Sequence, residues 1–493
     1  MLSKIARLLS QATAGASVRK EASDMKQDVV QEGWRSLLKR EWIPTLAILL
    51  GGVLLQSMNV LMLTTVLPSI VGELGGVTML SWPTTAYLAS SIVAASCVGV
   101  LSTTFGARRV YCAGVVIFGL GAVLCSLAPA MGWIVAGRLI QGFGGGLEAA
   151  VAYVLVRATF PESMWSRTIA LMSMSWSMSV LIGPLVGGLF AHFASWRGAF
   201  VASAATAVVL AVAAFFVLSP ATASRPTSAA RVPLGRVALI CLAIAATSVT
   251  SAVGSSWLKL GLIVTAILAF VAMLRLDRTA PTRLLPSDAF SWRSGTGVGL
   301  WVALLLCITF SPLQIYVPMF LQQLHGFDPL SAGFAVACAS MGWSVASILT
   351  AGLSGRSADR LMLIGPVMMG ASLMAIALLG PNATASVVLL IPAIALLGAG
   401  IGQCWPLVAH RIMDSARAGD EVVAASSVPT IQQMGFAFGA AIAGLVANAS
   451  GLAAAVADAT MQRAAFWVPA SFVAWAMLAF VAGLRLRALR RRV

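Results

Sequence analysis

The chain has 493 residues, 59% of them hydrophobic and only 10% charged, and no water-soluble fold of this length buries so much apolar surface behind so few charges. A lipid solvent is required. The formal net charge of +16 would also suit a nucleic-acid binder, so the placement of the basic residues has to decide between those partners.

Apolar runs of roughly 20 residues, each long enough to cross a hydrocarbon core of about 30 Å, recur along the chain. They read as helices, because barrel strands alternate apolar and polar residues over only about 10 positions. Fourteen helices are predicted, at 44–70, 79–104, 110–129, 132–156, 168–193, 198–219, 236–254, 257–274, 294–319, 329–353, 361–380, 385–409, 421–447 and 464–484. In the segment 1–43, Leu2, Ile5, Leu8 and Leu9 alternate with Lys4 and Arg7 at helical spacing, which suits either an interfacial helix or a disordered basic tail. No signal-peptide cleavage pattern is present there.

With the N-terminus inside, basic residues gather on one side. Eight lie in 1–43, five in 485–493 and fifteen in the cytoplasmic connections; Arg197, Lys259 and Arg463 fall outside, and Arg138 sits within a helix. This obeys the positive-inside rule, and an even helix count keeps both termini cytoplasmic. The expectation is a multi-pass protein of the cell inner (plasma) membrane, in contact with membrane lipid and not with nucleic acid.

Linkers after the sixth and eighth helices divide the chain into a cytoplasmic segment 1–43, a six-helix bundle 44–219, two extra helices with linkers at 220–293, a second six-helix bundle 294–484 and a basic tail 485–493. Both bundles carry a glycine and arginine loop between their second and third helices, Gly99 to Arg109 and Gly352 to Arg360. This weak repeat suits a transporter built from two related halves. The seven cysteines show no CxxC or metal spacing, so neither a metal nor another cofactor is expected. The three histidines, His192, His325 and His410, lie near helix ends with no acid cluster or nucleophile motif near them, and no phosphate-binding loop occurs. An enzyme is disfavoured, and energy must come from an ion gradient or from the substrate.

Four segments then invite comparison. Gly99, Gly106, Arg108 and Arg109 mark the first loop, with Arg356 in the second. Arg138, Gln141 and Gly142 follow in the fourth helix. Gly183, Pro184, Gly187 and Gly188 lie in the fifth, with Trp196 and Arg197 beyond it. In the C-terminal half come Tyr316, Gln322 and Gln323, then Gly326, Asp328 and Pro329, and later Gln432, Gln433 and Gly435. Together these resemble the major facilitator superfamily, specifically its fourteen-helix drug:proton antiporter branch. The resemblance implies an all-α polytopic fold of two six-helix bundles plus two inserted helices. It also implies a monomeric secondary transporter that exports small amphiphilic molecules in exchange for protons, with export of a lipid or other metabolite, or facilitated uptake, as alternatives on the same scaffold. Two departures stand out: Thr103 and Thr104 occupy the place of the family's Asp-Arg pair, and Asn59 occupies that of the acid in the first helix.

Of the sixteen acids, only Glu148 falls deep within a predicted span. It follows Arg138 by ten residues, about 15 Å along a helix at 1.5 Å per residue, so the two cannot form a simple pair. A lone ionisable group in lipid is a functional candidate, and Glu148 with Arg138 is the expected proton-coupling site, a neutral structural Glu and an interhelical Arg clamp being the alternatives. Gln56, Asn59, Gln141, Trp176, Gln314, Gln403, Trp405, Gln432 and Gln433 are candidates for the substrate cavity, against plain interhelical packing. Met172, Met174 and Met178 beside Trp176 offer either adaptable ligand contacts or ordinary packing.

Overall fold

The computed structural model describes residues 34–75, 79, 82–193, 195–219, 234–249, 253, 255–280, 283–382, 387–452 and 458–490. The stretch considered for an interfacial helix lies outside the described residues. After a single turn at Trp34–Leu37 come fourteen helices: α1 (Ile43–Leu74), α2 (Trp82–Phe105), α3 (Ala107–Ser126), α4 (Met131–Thr159), α5 (Glu162–Phe193), α6 (Trp196–Val217), α7 (Leu234–Val249), α8 (Ser256–Arg278), α9 (Gly295–His325), α10 (Pro329–Thr350), α11 (Gly355–Leu379), α12 (Val387–Asp414), α13 (Glu421–Ala449) and α14 (Asp458–Arg490). Thirteen are long and apolar enough to span a bilayer. The exception, α7, is described over 16 residues, and its expected C-terminal end runs into residues outside the description.

Helices satisfy every backbone donor internally, which is why lipid selects them. Prolines within α9 (Pro312, Pro318) and α12 (Pro392, Pro406) are tolerated because neighbouring helices surround the freed carbonyls. Exposed Trp82, Trp133, Trp257 and Trp467 sit toward the helix ends opposite the arginine-rich loops, at the depth expected of an interfacial aromatic belt.

The packing repeats itself. In the first half α4 packs on α2 and α3, α1 on α5, and α3 on α6; in the second α12 packs on α10 and α11, α9 on α13, and α11 on α14. Gly106 (φ 84°) turns α2 into α3 and Gly355 (φ 65°) turns α10 into α11, left-handed conformations that glycine adopts without steric penalty. The halves meet where α5 contacts α10 and α12, and where α13 contacts α2 and α4. The α7–α8 pair packs through Ala243, Ala246, Ala266 and Ala269 and touches Phe438 of α13.

Close backbone approach holds each bundle. A Cβ on Gly142 or Gly146 would collide with the α2 backbone at Tyr87 and Ser91, and one on Gly398 or Gly402 with α10 at Ala339 and Trp343. Without a hydrophobic drive between helices in lipid, such small-residue contacts supply the dispersion energy of assembly. Gly146→Val should therefore destabilise the protein by about 2–3 kcal/mol through overpacking, read as a lower unfolding temperature in detergent.

Candidate functional site

A polar seam runs through the first half between α1, α2 and α4. Arg138, Gln141, Gly145 and Glu148 fall on one face of α4, and Asn59, Gln56 and Gly52 face them from α1 at matching intervals of one turn. Arg138 is fully buried. Its Nη1 donates to Asn59 Oδ1 and, at 3.0 Å, to Gln141 Oε1. The guanidinium lies 4.3 Å from the centre of the Tyr87 ring on α2, and Asn59 Nδ2 donates onward to Ser203 Oγ of α6 at 3.4 Å. No carboxylate pairs with Arg138 among the described residues; its charge is held by amide oxygens and an aromatic face, while Nε and Nη2 keep unused donors. The guanidinium therefore holds side chains of three helices, not backbone carbonyls.

Glu148 is equally buried, and neither carboxylate oxygen has a partner. The carboxyl sits over Gly52: a Cβ there would lie 2.9 Å from Glu148 Cδ and overlap the hydroxyl of Tyr111, which donates to Ile48 O at 2.9 Å. One turn away, a Cβ on Gly145 would lie 2.7 Å from the Tyr87 hydroxyl, which is buried beside Gln56. Arg138, Gln141 and Glu148 contribute five buried, unpartnered side-chain polar atoms among the described residues, so unmet hydrogen-bonding capacity concentrates in this seam. An unpaired charge there costs several kcal/mol, so gaining or losing one proton changes the energy of the whole bundle.

Contacts between the halves gather toward the end bearing the arginine-rich loops. Trp405 Nε1 donates to Tyr153 OH at 3.2 Å, and Ser177 Oγ lies 2.5 Å from Ser344 Oγ. Arg157 at the end of α4 donates to Met413 O in the last turn of α12. Arg167 lies against Gly352, just past the end of α10. Both arginines thus bring positive charge to the negative ends of helices of the other half. His410 Nε2 is 3.7 Å from Glu162 Oε1. Asp414 lies one turn beyond this histidine on α12, and the fold brings Glu162 of α5 to the pair, their ligand atoms within 4.8 Å of one another. Arg411, 3.9 Å from Asp414, already supplies a cation there, so the cluster is a polar contact between halves.

The two loop motifs behave differently from the family pattern. Thr103 and Thr104 donate to carbonyls of their own helix, Gly99 and Val100, and latch nothing. Gly99 instead packs against Val423 and Ser426 of α13. Arg108 covers the Phe215 ring at 4.5 Å, while Arg109 and Arg356 are exposed. In α5, Gly183 and Gly187 meet the α1 backbone at Met58 and Met62, but nothing lies within 4 Å of a Cβ on Gly188. The side chain of Pro184 lies outside the described residues.

The candidates for the cavity divide. Trp165 and Trp176 are eleven residues apart and so share one face of α5; the Trp165 ring meets His410 of the other half at a tilt of 53° and is 7% exposed, whereas Trp176 is 45% exposed. Gln314 is exposed, Gln432 and Gln433 are half-buried, and Gln433 has an unpartnered buried oxygen. Gln403 is buried, and its Nε2 faces Met368 Sδ of α11 at 3.2 Å. Met174 and Met178 project from the side of α5 opposite Trp165, so only Met172 shares the tryptophan face. Trp405 is buried in the contact between halves, and Gln56, Asn59 and Gln141 are buried inside the first bundle. Tyr87, Tyr111 and Tyr153 escaped the sequence reading, although a chain with only four tyrosines places these three in successive helices.

Comparison with known proteins places this geometry. The family model described as Major Facilitator Superfamily matches residues 49–440. A probable multidrug-efflux transporter of Mycobacterium tuberculosis is 34% identical over 427 residues, covering 84% of this chain and 89% of the relative. Multidrug resistance protein 3 of Bacillus subtilis is 24% identical over 405 residues, 81% of this chain and 78% of the relative. The crystal structure of the human organic anion transporter MFSD10 superposes with a TM-score of 0.67 at 13% identity, covering 91% of this chain and 99% of that one, which shows a shared fold.

Because Asn59 supplies an acceptor to a fully buried guanidinium, Asn59→Leu should cost about 2–3 kcal/mol of stability. Asn59→Asp, which restores a carboxylate at that position, should raise the unfolding temperature above that of the unaltered protein; thermal unfolding in detergent measures both.

Proposed function

The chain belongs to the major facilitator superfamily, and from that premise we propose that it is a proton-coupled antiporter of the fourteen-helix branch. It acts as a monomer in the plasma membrane, with both termini cytoplasmic, and exports small amphiphilic compounds. The observation that carries the reading is Glu148, a fully buried carboxyl without a partner, placed in a seam that also holds an uncompensated arginine. The names borne by the relatives from Mycobacterium tuberculosis and Bacillus subtilis support drug efflux.

The mechanism follows from the cost of charge in lipid. Protonated, Glu148 is a neutral group that the seam accommodates with little penalty. Deprotonated, it requires its charge to be answered by the Tyr111 and Tyr87 hydroxyls and, at longer range, by Arg138, which asks α1, α2 and α4 to close around it. A proton thus biases one half between two packings, and differential stability of those packings is what couples ion to cargo. With the basic end taken as cytoplasmic, the contacts of Arg157, Arg167, Glu162 and Tyr153 with α10 and α12 close the inner side. Closure of that side supports reading the conformation as outward-facing, the state in which a proton would be loaded and cargo released.

Two measurements test the reading. In proteoliposomes under an imposed pH gradient, wild-type protein should move ethidium, and Glu148→Gln should cut that movement roughly tenfold or more while retaining ethidium binding; undiminished transport by the variant would remove Glu148 from the mechanism. Arg157→Ala should open the basic end. A cysteine at Ser173, in a background without native cysteines, would then react several-fold faster with a membrane-impermeant thiol reagent applied from that side, as expected when a contact worth about 1 kcal/mol is lost.

A further inference from the structure

α11 and α14 pack on one another and on α9, α12 and α13 of their own half, away from the contacts between the halves. Between the end of α11 and the start of α14 lies an open crevice of about 550 Å³. Leu378 and Pro381 wall it on one side, and Gln462, Arg463, Phe466 and Trp467 on the other. α11 starts beside the second arginine-rich loop and α14 ends in Arg485, Arg487 and Arg490, so the crevice opens at the opposite end, at the level of the exposed tryptophans. With the basic end cytoplasmic, this is the headgroup depth of the outer leaflet. Arg463 is the one charged residue in these walls among the described residues. On the same side of the membrane Arg197 is already paired with Glu73, at 2.5 Å. Arg463 differs: its Nε donates to Ala459 O of its own helix at 3.3 Å, and no carboxylate pairs with it among the described residues. Asp458 stands five residues back, about 140° round the helix.

We propose that this crevice holds an anionic phospholipid of the outer leaflet, with the headgroup phosphate on the Arg463 guanidinium and an acyl chain lying past Trp467 and Leu378. Each part of the lipid meets a matching surface. A guanidinium presents paired N–H donors in the fixed fork that a phosphate accepts, and its terminal nitrogens are free to do so here. The Gln462 amide can donate to or accept from headgroup hydroxyls. Below the headgroup the walls turn apolar, through Leu378, Phe466 and the Trp467 ring that meets Phe466 edge-on at 5.1 Å, and both Leu378 and Trp467 are exposed at the surface of an apolar span. The selectivity follows from what the walls omit. A zwitterionic headgroup brings an ammonium as well as a phosphate, and among the described residues the crevice has no carboxylate to receive it. A free phosphate would satisfy Arg463 equally but leave the apolar walls unfilled. The site is independent of Glu148 and lies outside the contacts between the halves.

The test needs a reporter at this site, because the arginine-rich face attracts anionic lipid of its own. Met374 is exposed on α11, one turn below Leu378 and outside the walls. Met374→Cys, in the full chain without its native cysteines, is labelled with bimane and reconstituted in phosphatidylcholine nanodiscs. Phosphatidylglycerol or phosphatidylcholine carrying a spin label on the acyl chain is then added as quencher. Phosphatidylglycerol should reach half-quenching at an about fivefold lower mole fraction, the preference expected of one cation at the membrane surface. Arg463→Gln, at an exposed position, should keep the unfolding temperature of the unaltered protein and make the two lipids equal. Equal quenching by the two lipids before that substitution, or a preference that survives it, would overturn the proposal. Loss of the preference on adding inorganic phosphate, but not sodium chloride of the same ionic strength, would assign Arg463 to a free phosphate and overturn it as well.

Discussion

A bilayer offers no water to a buried polar group, so the structure depends on how a single guanidinium, that of Arg138, is held inside the first bundle. Its charge is answered without a carboxylate. Asn59, Gln141 and the face of Tyr87 each take part of it, and in doing so they tie α1, α2 and α4 into one unit. Breaking any of these leaves a cation exposed to a low-dielectric surround, which is why the residues can exchange only in ways that keep an acceptor in place.

That solution has a consequence for the coupling proposed above. Where an acid in the first helix would neutralise the arginine directly, Asn59 leaves the seam with one net positive charge and places the lone carboxyl, Glu148, at the far end of the same polar face. Charge and counter-charge are then related through a set of hydroxyls and amides whose hydrogen-bonding capacity is only partly met. Such a network is sensitive to one proton because it has alternatives, whereas a fully satisfied ion pair resists rearrangement.

The contact between the halves shows a parallel substitution. Thr103 and Thr104 fold their hydroxyls back onto α2, and the work of holding the basic end closed passes to α4 and α5. There Arg157 and Arg167 place cations at the carboxyl ends of α12 and α10, and Trp405 reaches Tyr153. These are charge and dipole contacts of modest strength.

Much was legible in the residues. Composition and the sorting of arginines determined a multi-pass helical protein, and the isolation of Glu148 within a span marked it before any fold was known. The glycine and arginine loops announced two related halves, which the repeated packing of α1–α6 and α9–α14 shows. What the residues did not disclose is rotation. A helix bordered by lipid on one side and by other helices on the other is apolar all round, so its pattern does not say which face turns inward. The pattern therefore does not say that Gln403 faces α11 or that Met174 and Met178 project away from Trp176, and the meeting of His410 with Glu162 was hidden by their distance in the chain. Solvent chemistry is written in composition and so belongs to the sequence; the partners of each buried polar atom depend on angles between helices, which only tertiary packing sets.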